Sequence, residues 1–253
     1  MKDIFIQTIK EAGEIFKEGY YSLEKNIRFK GKKDLLTQYD VAVEQFLIEK
    51  FSALPFSIIA EESQRDSFRD SIIIDPIDGT TNFVNQLPFC AISVGVFQDK
   101  KPLYGFVYNP ILDEFFYAEA GKGAFLNEKP IGVSENSEFQ RALVSTGFPY
   151  SGAENQEDLA WVIKRLEKIL PKCQDIRRYG SASLDLCYVA KGSYDGFYEI
   201  NLMPWDVSAG SLIVSEAGGV ITNEFGAPYN MFEDRCIVAS NGKVHKEFLE
   251  YLQ

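Results

Sequence analysis

The 253-residue chain holds one histidine, His245. A serine protease-type triad needs an imidazole beside its nucleophile, and nitrogen-rich zinc sites need several. One imidazole near the C-terminus argues against both. The four cysteines, Cys90, Cys173, Cys187 and Cys236, are scattered and form no CxxC pair. Cys90 and Cys187 sit in apolar runs, so the set reads as buried small hydrophobes in a reducing compartment. No apolar run approaches the roughly 18 residues of a membrane span. The opening MKDIFIQTIKEAGEIFK is charged and amphipathic, unlike a signal peptide. Basic residues are also in deficit, 26 Lys and Arg against 37 Asp and Glu, for a net charge of −11. That is the wrong sign for a protein that neutralises nucleic-acid phosphates. The expectation is a cytoplasmic protein without nucleic-acid or membrane partners. Any polar chemistry rests on carboxylates, hydroxyls, lysines or backbone groups.

With 45% hydrophobic and 25% charged residues the chain is of globular composition, and it shows no repeat. Ile9, Ala12, Ile15, Phe16, Tyr20 and Leu23 fall at helical spacing. A second helix is predicted from Asp40 to Leu54, stopped by Pro55. Strands are predicted at 56–60 and 71–74, then a meander at 91–97, 103–108 and 114–118. Beyond it, strands near 142–145, 173–177 and 194–199 alternate with helices near 155–170, 182–191 and 207–217. Strands near 219–222 and 236–239 and a helix from Val244 close the chain. This pattern predicts an α+β half joined to an α/β half. A soft boundary near 135–140 gives sub-domains of about 1–138 and 139–253 in one compact unit. His245 is expected on an exposed helix start.

The most informative segment is Ser71-Ile72-Ile73-Ile74-Asp75-Pro76-Ile77-Asp78-Gly79-Thr80-Thr81-Asn82-Phe83. A β-branched run ends in two aspartates three apart, then glycine and two threonines. A buried strand delivers Asp75 to a sheet edge, where loops build sites. Gly79 and Thr80 read as a helix start, whose free N–H groups bind anions. Carboxylates beside such a start are parts of a metal-assisted phosphate site. Taken alone, the segment has a less favoured reading as an ordinary strand–turn–helix with Asp78 as an N-cap. Three more acidic clusters shift the balance: Glu61-Glu62 after an apolar run, Asp206 before a helix, and Asp34 to Asp40. Each has an ordinary explanation as a strand-end charge or a cap; all of them together do not.

Asp75-Pro76-Ile77-Asp78-Gly79-Thr80-Thr81-Asn82-Phe83, taken with Trp205-Asp206-Val207-Ser208-Ala209-Gly210, resembles the two signatures of the inositol monophosphatase family. The resemblance runs from the first helix to the last. It implies a layered αβαβα sandwich of the sugar phosphatase type, and a lithium-sensitive, homodimeric Mg²⁺-dependent phosphomonoesterase acting through metal-activated water. Position by position, it makes Glu61, Asp75 and the Ile77 carbonyl ligands of one Mg²⁺. Asp75, Asp78 and Asp206 become ligands of a second, and a third, weaker ion again involves Glu61. The N–H groups of Gly79 and Thr80 hold phosphate. The Thr80 hydroxyl and Glu61 orient the attacking water, with Asp40 on Thr80. Asp78, Gly180, Ser181, Ala182 and Glu199 contact the substrate. Two points depart from the pattern or stay open. Ala60 replaces the usual glycine before the paired glutamates, and Lys30, Lys32 and Lys33 compete for one loop-lysine position.

Such a site reconciles an acidic protein with an anionic substrate. Two or three Mg²⁺ ions offset the carboxylates and the phosphate together, and hard oxygen ligands suit Mg²⁺ rather than zinc or iron. The nearest rival, the haloacid-dehalogenase phosphatases, places its aspartates two apart and gives Trp205-Asp206 no role. Within the family the substrate stays open between inositol monophosphate or a related polyol phosphate, fructose-1,6-bisphosphate and histidinol phosphate. A protein-binding scaffold is a further reading from another class. Arg177 and Arg178 stay open between substrate anions, a subunit contact and solvated charges.

Overall fold

The computed structural model describes residues 1–30, 35–62, 68–148 and 155–253. Asp34, Lys32 and Lys33 lie outside them. Helix α1 (Lys2–Tyr21) buries Phe5, Ile9, Ala12, Phe16 and Tyr20 on one face. Leu23, expected to continue that face, lies beyond the helix and is 98% exposed, because the chain turns extended at Ser22. A short antiparallel pair, β1 (Arg28–Phe29) and β2 (Leu35–Leu36), precedes α2 (Gln38–Phe51). Helix α2 begins ahead of Asp40 because Thr37 is its cap: the Thr37 hydroxyl accepts from the Tyr39 N–H at 3.1 Å. Asp40 closes the capping box by accepting from the Thr37 N–H at 2.8 Å. It is therefore the third helical residue rather than the cap.

Seven strands follow in one sheet: β3 (Ser57–Ala60), β4 (Ser71–Asp78), β5 (Ala91–Gln98), β6 (Lys101–Asn109), β7 (Glu114–Glu119), β8 (Ala124–Leu126) and β9 (Lys129–Ile131). They lie in chain order, β3 parallel to β4 and the rest antiparallel. The β8–β9 hairpin is absent from the sequence reading, because three-residue strands carry too little alternation to register. A one-turn helix, α3 (Thr80–Val84), leaves the end of β4.

The second sheet holds β10 (Leu143–Thr146), β11 (Asp175–Arg177), β12 (Gly196–Ile200), β13 (Val220–Thr222) and β14 (Cys236–Ser240), in the order β11-β10-β12-β14-β13. Strand β10 is parallel to both neighbours, while β14 is antiparallel to β12 and β13. Helices α4 (Gln156–Ile169), α5 (Ala182–Ala190), α6 (Pro204–Glu216) and α7 (His245–Leu252) alternate with these strands. The layers run α1/α2, large sheet, α5/α6, small sheet, α4/α7. This is the αβαβα order expected of the chain. Strand alternation decides which core each residue joins. On β12, Phe197 enters the core around α5 and α6, whereas Tyr198 and Ile200 enter the core under α4 and α7.

His245 is buried, not exposed as the sequence suggested. Its Nδ1 lies 2.8 Å from Ser240 Oγ and its Nε2 3.0 Å from Thr222 Oγ1, so it ties α7 to the last two strands. Burial lowers its pKa and favours the neutral ring. The four cysteines are free and buried, as the apolar runs implied. Among the described residues no helix is long and apolar enough to cross a membrane.

Helix α6 lies unusually close to the large sheet because two strands offer no side chain beneath it. A Cβ on Gly95 would stand 2.5 Å from Ser208 Oγ, and one on Gly105 2.5 Å from the Ala209 carbonyl oxygen. Backbone cannot swing aside, so Gly105→Ala is expected to push α6 outward and cost about 1–3 kcal/mol. Urea denaturation tests this, and a variant melting at the wild-type midpoint would refute the close-packing account.

Candidate active site

The site forms where four segments meet at the edge between the two sheets. On β4, Ile72 and Ile74 face α1 and α2, while Ile73 packs with Trp205 of α6. Period-two alternation therefore turns Asp75 toward α6. Helix α6 opens at Pro204, and its third residue, Asp206, accepts from the Met203 N–H at 2.6 Å. Asp206, like Asp40, is a third-position acid and not an N-cap. The register of β4 against β5 slips between Asp75 and Asp78. The irregularity lets both aspartates of the pair reach one place. Carboxylate oxygens of Asp75, Asp78 and Asp206 all lie within 4.8 Å of one another.

Asp78 is fixed from the opposite side. Ser181 Oγ donates to it at 2.7 Å and the Ser183 N–H at 2.8 Å, and the Ser183 hydroxyl donates as well. The start of α5 thus holds this carboxylate, as helix N-termini hold anions. Gly79, not Asp78, caps α3, with φ +88° and no room for a side chain. A Cβ there would meet the Gly180 carbonyl at 3.0 Å and the Phe89 carbonyl at 3.1 Å. The Thr80 hydroxyl lies 3.1 Å from Asp40 Oδ1 and 3.1 Å from the Ile77 carbonyl. Glu61 follows β3 and is half-buried; Lys30 Nζ stands 2.8 Å from its Oε1 and also pairs with Glu62. Among the described residues, Lys30 is the loop lysine that reaches the site. Neither glutamate is a solvated strand-end charge.

A cavity of about 200 Å³ joins these groups to Gly180, Ala182 and Glu199, so the structure brings both ends of the expected constellation together. Ser181 reaches the site through Asp78. Asp40 stands behind Thr80 and is fully buried. On β12, Glu199 shares the inward face of Phe197, and its carboxylate occupies the space where Gly147 has no Cβ. Sequence reasoning did not single out Ser183 or Gly147. Ser183 stands one position beyond the matched Gly180-Ser181-Ala182 segment, and a glycine that makes room for a carboxylate leaves no local pattern.

The electrostatics are those of a crowded acid cluster. Burial raises the pKa of Asp75 well above the usual range, and Glu61, Asp78 and Asp206 push it further. Burial, then Asp78 and Glu61, does the same to Asp206. Asp78 rises less freely, because its serine hydrogen bonds favour the charged form. Burial also raises Asp40 to about 6, Glu62 to about 7 and Glu199 to about 8. Glu62 rises despite Lys30 because burial and Glu61 outweigh the ion pair. An all-oxygen donor set with too much negative charge fits a hard divalent cation.

Clustered carboxylates beside a helix start, on a layered α/β fold, are the parts of a phosphoric monoester hydrolase. A family model described as the inositol monophosphatase family matches residues 1–253. Inositol monophosphatase 3 of Solanum lycopersicum is 39% identical over 99% of this chain and 95% of its own length. Nus factor SuhB of Pasteurella multocida is 35% identical over 100% of this chain and 96% of its own. The solved Thermotoga maritima IMPase superposes with a TM-score of 0.90 at 33% identity, covering 99% of this chain and 95% of that one. The chain belongs to the inositol monophosphatase family.

The raised carboxylates set a pH dependence. The folded state binds these protons more tightly than the unfolded chain, so their stabilisation is present at low pH and lost as pH rises through about 6 to 8. In chelator, the thermal midpoint is expected to rise as pH falls from about 8 to about 5. Asp206→Asn should flatten that rise and lift the midpoint at the alkaline end. A chelated wild type that melts lower at the acidic end of the window would contradict the assignment.

Proposed function

We propose that this phosphatase hydrolyses inositol monophosphate or a related small sugar or polyol phosphate with Mg²⁺. The observation that carries the reading is the carboxylate trio of Asp75, Asp78 and half-buried Asp206 beside Gly79 and Thr80. Glu61, Asp75, Asp78, Asp206 and the Ile77 carbonyl would hold two to three ions. When bound, Mg²⁺ supplies positive charge against the phosphate and lowers the pKa of water.

The chain's own groups do the rest. Backbone N–H groups of Gly79 and Thr80 hold the phosphate, and their positions depend on the left-handed turn at Gly79. Asp40, fixed by the Thr37 N–H, orients the Thr80 hydroxyl. Glu61 and Thr80 then position the attacking water, with Lys30 restraining Glu61. Glu199 and the 180–182 segment receive the alcohol part of the ester. Burial against Gly147 gives Glu199 one preferred orientation for a substrate hydroxyl.

The same reading extends to the whole molecule. It takes residues 1–253 as one catalytic unit with halves of about 1–138 and 139–253, working in the cytoplasm as a homodimer. Four buried free thiols support a reducing compartment. Exposed Leu87, Leu112 and Tyr179 around one apolar groove support a second copy as partner.

Asp75→Asn and Asp206→Asn are each expected to lower kcat at least about 100-fold while circular dichroism stays unchanged. Thr80→Val should cost about 10–100-fold in kcat with little change in KM. Phosphate release from inositol-1-phosphate at millimolar Mg²⁺ is the assay. A folded Asp75→Asn variant with near-normal turnover would sink the assignment.

A further inference from the structure

Two consecutive arginines, Arg177 and Arg178, stand at the end of β11, and their surroundings differ. Arg177 is committed: its Nη1 lies 2.5 Å from Asp175 Oδ2 and 3.2 Å from the Ile176 carbonyl. Arg178 lines the catalytic cavity instead. Among the described residues, no carboxylate or carbonyl accepts a hydrogen bond from it. Its guanidinium lies over the Phe148 ring, Cζ 5.3 Å from the centroid, and Phe148 lines the same cavity. Gly180 leaves the group its place, since a Cβ there would stand 2.7 Å from Arg178 Nη1. A planar cation thus lies over a ring, in space that a glycine leaves free, with no acceptor for its donors among the described residues.

The position says which part of a substrate it serves. The scissile phosphate belongs with Gly79, Thr80 and the carboxylate trio. The charge of Arg178 acts instead on Glu199, which lines the alcohol side of the cavity, and on the buried Asp185. Among the described residues Arg178 is the only cation lining that cavity. An arginine fork suits a planar or tetrahedral oxyanion better than a neutral hydroxyl.

We infer that Arg178, seated on Phe148, is a specificity-determining residue that binds a second anionic group on the alcohol part of the ester. The inference rests on the phosphatase reading and adds the substrate class: bisphosphates, or phosphorylated sugar acids, over neutral polyol phosphates.

The test compares kcat/KM for matched esters in the wild type, Arg178→Ala, Arg178→Lys and Arg177→Ala. Fructose-1,6-bisphosphate against fructose-1-phosphate isolates a second phosphate; 6-phosphogluconate against glucose-6-phosphate isolates a carboxylate. Charge-assisted hydrogen bonds lost on truncation should lower at least one of these ratios about tenfold or more in Arg178→Ala. Arg178→Lys should recover part of the loss, and Arg177→Ala should leave the ratios at the wild-type value. Ratios unchanged in folded Arg178→Ala for both pairs overturn the inference. If that variant does not fold, the wild type decides: KM should rise with salt more steeply for the doubly anionic ester. Parallel salt curves overturn the inference. Hydrolysis of all esters with unchanged ratios, or of inositol-1-phosphate but none of them, defeats this inference alone, whereas no hydrolysis of any of these esters or of inositol-1-phosphate by folded wild type with Mg²⁺ defeats the phosphatase reading and this inference with it.

Discussion

The close seat of α6 on the large sheet is the constraint on which the site depends. Gly95 and Gly105 let the helix backbone approach the strands, and Gly210 lets Leu186 of α5 approach the helix. That approach carries Asp206 to within 4.8 Å of Asp75 and Asp78. The packing works against charge. Two carboxylates at such a distance repel by roughly 3 kcal/mol at an effective dielectric of about 20. Several such pairs rival the 5–15 kcal/mol that typically separates a folded domain from its unfolded chain. The cluster is therefore not there for stability. Burial of residues such as Phe5, Phe16, Phe83 and Phe197 holds it together, each side chain contributing about 1.5–3 kcal/mol.

The surrounding groups divide the labour by charge. Serine hydrogen bonds and a helix start favour the charged form of Asp78 against its burial, while Lys30 takes up part of the negative field at Glu61 and Glu62. Asp40 is spent on Thr37 and Thr80, which makes it a holder of a hydroxyl. The lone imidazole stays out of this chemistry. His245 is a neutral strut between two strands and the last helix, far from any role that its rarity suggested.

Much of this was legible in the sequence because it is local. The run Ile72 to Ile74 reads as a buried strand, with Glu61 just past β3 as in the pattern; Asp75, expected past its strand's end at 74, lies inside β4, which runs on to Asp78. Asp40 and Thr37 both suit the start of α2, and only the reciprocal hydrogen bonds distinguish the cap, Thr37, from the third position. The β8–β9 hairpin escaped notice because short strands have almost no periodicity. A polar residue at a helix start is usually solvated, and only the folded chain supplies Ser240 and Thr222 beneath His245.

The sequence by itself determined the chemistry available. It settled an oxygen-rich acid set without usable imidazoles or paired thiols, a helix start after Gly79, and the alternation that sorts each strand's residues to two faces. Spacing along the chain and local sterics are enough for these. The tertiary structure alone decided which acids share one volume, that Lys30 reaches Glu61, that Ser183 grips Asp78 from 105 residues away, and that Arg177 is paired while Arg178 faces the cavity. These depend on layer packing and on glycines that remove side chains at crossing points. No local pattern records what a missing Cβ allows to come near.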